Sequence, residues 1–256
     1  MFSINRDRLL GTDLAREFFN RVLYLAEWQG FVSDEYFSVD GTLIEAWASH
    51  KRFVRKDGDG SDPPPGRNPE IDFKGEKRNN ATHESTTDPE SRLYKKGEFT
   101  EAKLRYMAHA LSENRHGLVV DVETTQANGR AEWDAAATMV SRSVKAGATL
   151  GADKGYDTQD FVSRMKRLGV KAHVARKTTG SAVDGRTARG KGYAMSLRRR
   201  KMIEEAFGWI KTVSGLRKTR HIGLAKLAGQ ALFTFAAYNL ERLLNLMKPE
   251  RGLARG

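Results

Sequence analysis

The 256-residue chain has no cysteine. That removes disulfides and thiolate-bound metals, and it fits a reducing, cytoplasmic setting. Histidine is scarce, at 6 residues, and no pair has metal-ligand spacing, so zinc chemistry is disfavoured. Long apolar runs are missing too. The longest uncharged apolar-rich run, Leu227 to Leu240, falls short of the ~20 residues that cross a bilayer. The opening "MFSINRDRLLGTDLAREFF" is charged early and lacks the apolar core of a signal peptide. No internal repeat is visible. Acid is under-supplied: 44 Lys and Arg stand against 32 Asp and Glu, a net charge of +12. A polyanionic partner follows, nucleic acid before membrane.

What is present is unevenly placed. From Val174 to His221 there are 13 Lys and Arg against 3 Asp and Glu, a balance of +10. Isolated charges are ordinarily solvated surface, but clustering on this scale favours a nucleic-acid footprint.

The apolar spacing orders the chain. Residues 1–30 read as helical, with Phe18, Phe19, Val22, Leu23 and Ala26 in register. "EYFSVD" reads as a strand ending at Asp40. Residues 51–100 are polar and rich in turn residues, too long for an ordinary connection. "KLRYMAHAL" and "GLVVDVETT", joined by "SENRH", form a hairpin pattern. A helix through Trp133, Ala136, Ala137, Val140 and Val144 follows, then the strand "ATLGAD" and the helix "TQDFVSRMKRLG". The strand "VKAHVAR", a helix over Ser196 to Gly215 and a strongly apolar helix from Leu224 to Met247 complete the order. Such an order implies an α/β fold, a mixed sheet with helices packed on it.

Three carboxylates stand where such a fold places chemistry. Asp40 ends the first strand, Asp153 ends the fourth, and Glu204 lies on a late helix. If the two strands are neighbours, ~4.8 Å apart, their acids can share a crevice for magnesium, which takes oxygen ligands. Two such ions can activate the attacking oxygen and stabilise the leaving oxygen of a phosphodiester. An Asp at a strand end is also commonly just a turn residue. Asp157 reads as a helix N-cap. Asp121 points away from the Val120/Val122 face and reads as solvated or loosely paired, and nothing makes His109 or His116 a ligand.

The late helix carries two adjacent glutamates. At about 100° per residue, Arg200, Glu204 and Lys211 fall within about 40° of one another along the border of the Ile203/Phe207/Ile210 face. Glu205 faces away from both. An Arg200–Glu204 salt bridge on the helix surface is the ordinary account of this spacing.

In these segments the chain resembles DDE transposases of bacterial insertion sequences, of the insertion-sequence-5-like group. The matching stretches are "NRDRLL", "FSVDGTLIEAWASHKRF", "KLRYMAHAL", "LGADKGYD", "IEEAFGWIKTVSGLRKTRH" and "AAYNLERL", in order over nearly the whole chain. The resemblance implies a ribonuclease-H-like mixed sheet flanked by helices. It places the family's aspartates on Asp40 and Asp153. Its Arg-x3-Glu-x6-Lys helix, with phenylalanine three after the glutamate, falls on Arg200, Glu204, Phe207 and Lys211. Glu204, not Glu205, would then complete the metal triad, with Arg200 and Lys211 on DNA phosphates. Where relatives have a tyrosine three residues before the arginine, this chain has Leu197, and Tyr193 lies about a turn earlier.

The resulting expectation is a transposase catalytic domain cleaving and joining DNA strands at insertion-sequence ends. It would use two Mg2+ or Mn2+ ions at Asp40, Asp153 and Glu204. Arg200, Lys211, Arg217, Lys218 and Arg220 would hold double-stranded DNA, terminal inverted repeats and target alike. The protein would be a dimer when engaged with DNA ends, and nucleoid-associated. Residues 1–30 would be a helical remnant of an N-terminal region, 31–248 the catalytic domain with a polar insertion at 51–100, and 249–256 a tail. Relatives carry a further helical region before "MFSINRDRLL", so a truncated, catalytically silent DNA-binding remnant is the alternative. A stand-alone ribonuclease-H-like nuclease, hydrolysing without joining, is a third reading.

Overall fold

The structure, a computed structural model, describes residues 9–10, 13–57, 78–97 and 99–248. At its centre is a six-stranded mixed sheet. Strand β1 (Tyr36–Glu45) pairs antiparallel with β5 (Lys103–Glu113) along its length, and β5 hairpins onto β6 (Val119–Gln126). On its other edge β1 pairs in parallel with β7 (Thr149–Ala152), which pairs with β8 (Lys171–Val174). The expected α/β class, a mixed sheet flanked by helices, is met.

Helices α1 (Leu14–Trp28), α2 (Ala131–Ser143) and α3 (Gln159–Arg167) divide between the two faces. One core joins Phe37, Val39, Leu111 and Leu150 to Met139 and Val140 of α2 and Phe161 and Met165 of α3. The opposite core joins Ile44, Tyr106 and Ala108 to Phe19 and Val22 of α1 and to two late helices. Those are α6 (Met202–Thr212) and α7 (Leu224–Leu246), preceded by the short α4 (Gly185–Ala188) and by α5 (Lys191–Arg199). Strand alternation therefore sends Phe37, Val39 and Gly41 to the α2 face, and Ser38, Asp40 and Ile44 to the α6 face. Among the described residues no helix is long and apolar enough to cross a membrane.

Several sequence expectations need correction. The first strand does not stop at Asp40 but runs on to Glu45, because β5 supplies hydrogen-bond partners that far. The Ser196–Gly215 helix is two helices. Ile203 N–H bonds Arg200 O and Glu204 N–H bonds Lys201 O, three-residue spacings that tighten the turn. Packing explains the break: α5 lies over β7 and β8, whereas α6 lies over β1 and β5 and against α7. On the α2 helix, Ala135 and Met139 share the buried face with Ala136 and Val140, and Val144 lies just past the helix end.

The polar 51–100 segment is not structureless where it is described. β2 (Phe53–Arg55) pairs with β3 (His83–Ser85), and β4 (Arg92–Tyr94) adds to the β5 edge. Buried Asp88 accepts a 2.5 Å hydrogen bond from Tyr106 Oη, tying the segment to the sheet.

Candidate active site

The site lies at a fork between strands. β1 and β7 pair only over Tyr36–Ser38 and Thr149–Gly151, and beyond Ser38 β7 no longer covers the β1 edge. Asp40 stands two residues past the last paired residue of β1, in mid-strand. Asp153 directly follows β7. The two strands are neighbours, which meets the condition for their acids to share a crevice.

Asp40 is largely buried. It accepts a 2.8 Å hydrogen bond from the Gly41 N–H, and its other oxygen lies 3.8 Å from an Arg200 nitrogen. Burial, followed by the nearby Asp153, pushes its carboxyl up to about 6, against the pull of the Gly41 N–H and Arg200. Asp153 caps the short turn after β7 by accepting a 2.7 Å bond from Gly155 N–H.

Arg200 sits at the α5–α6 break and is mostly shielded, and its other nitrogen lies 3.7 Å from Glu204. It therefore links Asp40 to Glu204, whose side chain is 58% exposed. The expected Arg200–Glu204 pair is present, and it extends to Asp40. Glu205 turns the other way and meets Arg242 at 3.2 Å on α7. The two glutamates are thus separated as their spacing indicated.

Lys211, in the last turn of α6, is half-buried. Burial, then Lys96, Arg217 and Arg105, lower its pKa, while Asp40 raises it. Lys211 thus shares a neighbourhood with three other cations on the Asp40 side. The chain after α6 is tacked to the end of β1: Glu45 N–H bonds Arg217 O, and Thr219 N–H bonds Glu45 O. Arg217, Lys218 and Arg220 are exposed there, and Lys218 Nζ lies 5.1 Å from the Trp47 ring centre. A groove of about 480 Å3 lined by Trp47, His50, Lys51, Lys103 and Lys218 opens beside it.

Tyr193, the nearest tyrosine to the motif arginine, is buried and donates its hydroxyl to Val174 O at 2.8 Å, a packing role. Asp157 is not the N-cap. Thr158 caps α3 through Phe161 N–H, and buried Asp157 accepts instead from Lys177 N–H and Ala182 N–H. Asp121 is not solvated, because Arg16 at 3.0 Å, Arg142 at 2.5 Å and Ser143 at 2.9 Å converge on it.

Two residues of the site escaped sequence reasoning, and a third, His109, was read only as no ligand. Glu132, in the first turn of α2, has its carboxyl pushed up to about 7 by burial and then by Asp40 and Asp153. The Tyr156 hydroxyl is buried with no hydrogen-bond partner among the described residues. Burial first, then Glu132, Asp40 and Asp153, raise its pKa. His109 is fully buried, with Nε2 2.8 Å from Thr125 Oγ1 and Nδ1 unpartnered. Burial holds its pKa down at about 3, so the ring is neutral. An acid in a helix first turn has an ordinary explanation in the helix dipole, and no local motif marked it.

Carboxylate oxygens suit a hard divalent cation, and the orphaned Tyr156 hydroxyl lies among the charges of Asp40, Asp153 and Glu132. The donor chemistry therefore fits Mg2+ or Mn2+. Among the described residues no three His, Asp or Glu side chains converge tightly enough to chelate an ion. Glu204 is the outlying member, since it is turned toward Arg200.

The family model for the transposase DDE domain matches residues 37–240. No curated relative matches in sequence. The fold is similar to the piggyBac transposase in a synaptic complex with hairpin DNA, at 8% identity and a TM-score of 0.47, over 88% of this chain and 52% of that one. It is more distantly similar to the Mos1 mariner paired-end complex with Mn, at 8% identity and a TM-score of 0.27, over 93% of this chain and 62% of that one. The chain spans less than two thirds of either structure's length.

Proposed function

This chain belongs to the transposase DDE domain family, and we propose that it cleaves and rejoins DNA strands at the ends of an insertion sequence of the insertion-sequence-5-like group. The observation that carries the reading is the meeting of Asp40 and Asp153 at the β1–β7 fork, with Arg200 linking Asp40 to Glu204. Asp40, Asp153 and Glu204 would hold Mg2+ or Mn2+, which when bound supplies Lewis-acid stabilisation of the phosphodiester.

The chain's own residues supply the rest. Lys211, Arg217, Lys218 and Arg220 neutralise phosphates and set the duplex against the fork without reading its sequence. Arg200 is placed to leave Glu204 for a phosphate oxygen, which would free the glutamate to turn inward. In the first reaction water attacks phosphorus and the P–O3′ bond breaks. The departing oxygen takes a proton and becomes a 3′-hydroxyl. In the second, that hydroxyl attacks a target phosphorus and displaces the target's own 3′-oxygen.

The test is nicking of a duplex carrying the cognate terminal repeats, in Mn2+. Asp40→Ala, Asp153→Ala and Glu204→Gln should each lower the rate by at least about 10²–10³. If wild type binds the duplex but does not nick it, the chain is the silent remnant. If it nicks without joining, it is a stand-alone nuclease.

A further inference from the structure

We propose that Glu132 is a fourth carboxylate of the cation site, entering it from the α2 face of the sheet while Glu204 approaches from the α6 face. The inference rests on the reading of Asp40 and Asp153 as cation ligands.

Glu132 is held in place by its helix. Arg130 N–H bonds Asn128 Oδ1 at 2.8 Å in the turn before α2. Trp133 Nε1 donates to Gly155 O at 3.2 Å, two residues beyond Asp153. Arg130–Asp160 at 3.0 Å and Arg164–Asp134 at 2.6 Å clamp α2 to α3. The first turn of α2 is thereby fixed to the loop that carries Asp153.

Gly41 makes the approach possible. A Cβ there would come within 2.9 Å of His109 Nδ1 and 3.2 Å of both Cγ and Oε1 of Glu132. The space beside Asp40 that a side chain would fill is occupied by the Glu132 carboxyl. Two fully buried polar atoms of this region have no partner among the described residues. His109 Nδ1 points at this space, and the Tyr156 hydroxyl lies among the charges of Glu132, Asp40, Asp153 and Arg200.

A dipole-complementing acid would sit in water at the helix end. Glu132 is instead partly buried against two like charges, with Lys96 the cation acting on it. Among the described residues it has no hydrogen bond or salt bridge. Ionised there, the carboxylate must either take up a proton or gain a positive partner, and a divalent ion between it and Asp40 supplies the partner.

The experiment is Mn2+ titration of the full chain by calorimetry and electron paramagnetic resonance, without DNA. Glu132→Gln should weaken binding at least about tenfold, in the same direction as Asp153→Asn. Gly41→Ala, which removes no donor, should weaken it as well, because the added methyl crowds Glu132 and His109. If Asp153→Asn weakens binding while Glu132→Gln binds like wild type, the fourth-carboxylate assignment is overturned and the cation site stands. If Asp153→Asn also binds like wild type, the cation-site reading itself fails. Without metal, Glu132→Gln should unfold no earlier than wild type. An earlier midpoint would assign Glu132 to holding the fold and overturn the proposal.

Discussion

Two acidic places on the same sheet are treated in opposite ways. Asp121 on β6 is nearly inaccessible, yet two arginines and a serine hydroxyl satisfy both its oxygens. Asp40, Asp153 and Glu132 gather at the β1–β7 fork with one arginine 3.8 Å from Asp40 and no salt bridge to the other two among the described residues. A chain with 44 Lys and Arg has cations to spare. It spends them on Asp121, which ties α1 and α2 to the sheet, and leaves the fork uncompensated. Such a deficit destabilises the fold unless something else brings positive charge. On the proposed function, the difference separates a structural acid from a binding one.

The contrast can be broken from either side. The largest effect should follow Asp121→Ala, which strands Arg16 and Arg142 against the sheet. A loss of about 2–4 kcal/mol in urea unfolding is expected, at the lower end because both arginines keep solvent contact. Metal affinity should not move.

A smaller effect should appear with pH in the absence of metal. Asp40 at about 6 and Glu132 at about 7 are both raised above their ordinary values. Their neutral forms are the ones the fold favours, so their contribution is fully present near pH 4 and is lost as pH rises through 6 to 7. Asp153, Glu204, Arg200 and Lys96 are the charges that face them. With a chelator present, the wild-type melting temperature should fall across that window, and Asp40→Asn and Glu132→Gln should each flatten the fall. Added Mn2+ should reverse it. The smallest effect belongs to Glu205→Gln, which loses an exposed pair with Arg242. A change within about 0.5 kcal/mol and unaltered nicking are expected.

Much of this was legible in the sequence. Periodicity located the β5–β6 hairpin, α3 and α7, because their apolar faces repeat cleanly and turn residues bound them. Helical angle set Glu204 and Glu205 on different sides of their helix, and their contacts with Arg200 and Arg242 are separated in the same way; the choice of Glu204 came from the Arg-x3-Glu-x6-Lys spacing of the resemblance. What failed shares a cause. The β1 end, the α5–α6 break and the partners of Asp121 and Asp157 are all set by neighbours more than ten residues away. Glu132 was missed, and His109 was given no role, for the same reason: one is an unremarkable first-turn acid and the other a strand histidine. They meet only because Gly41, remote from both in sequence, leaves room.

The most direct measurement is anomalous diffraction from crystals of the chain grown with Mn2+. The account predicts a peak at the β1–β7 fork, with oxygens of Asp40, Asp153 and Glu132 within about 2.0–2.6 Å of an ion. No peak at the fork, or Mn2+ held only elsewhere on the molecule, would contradict it.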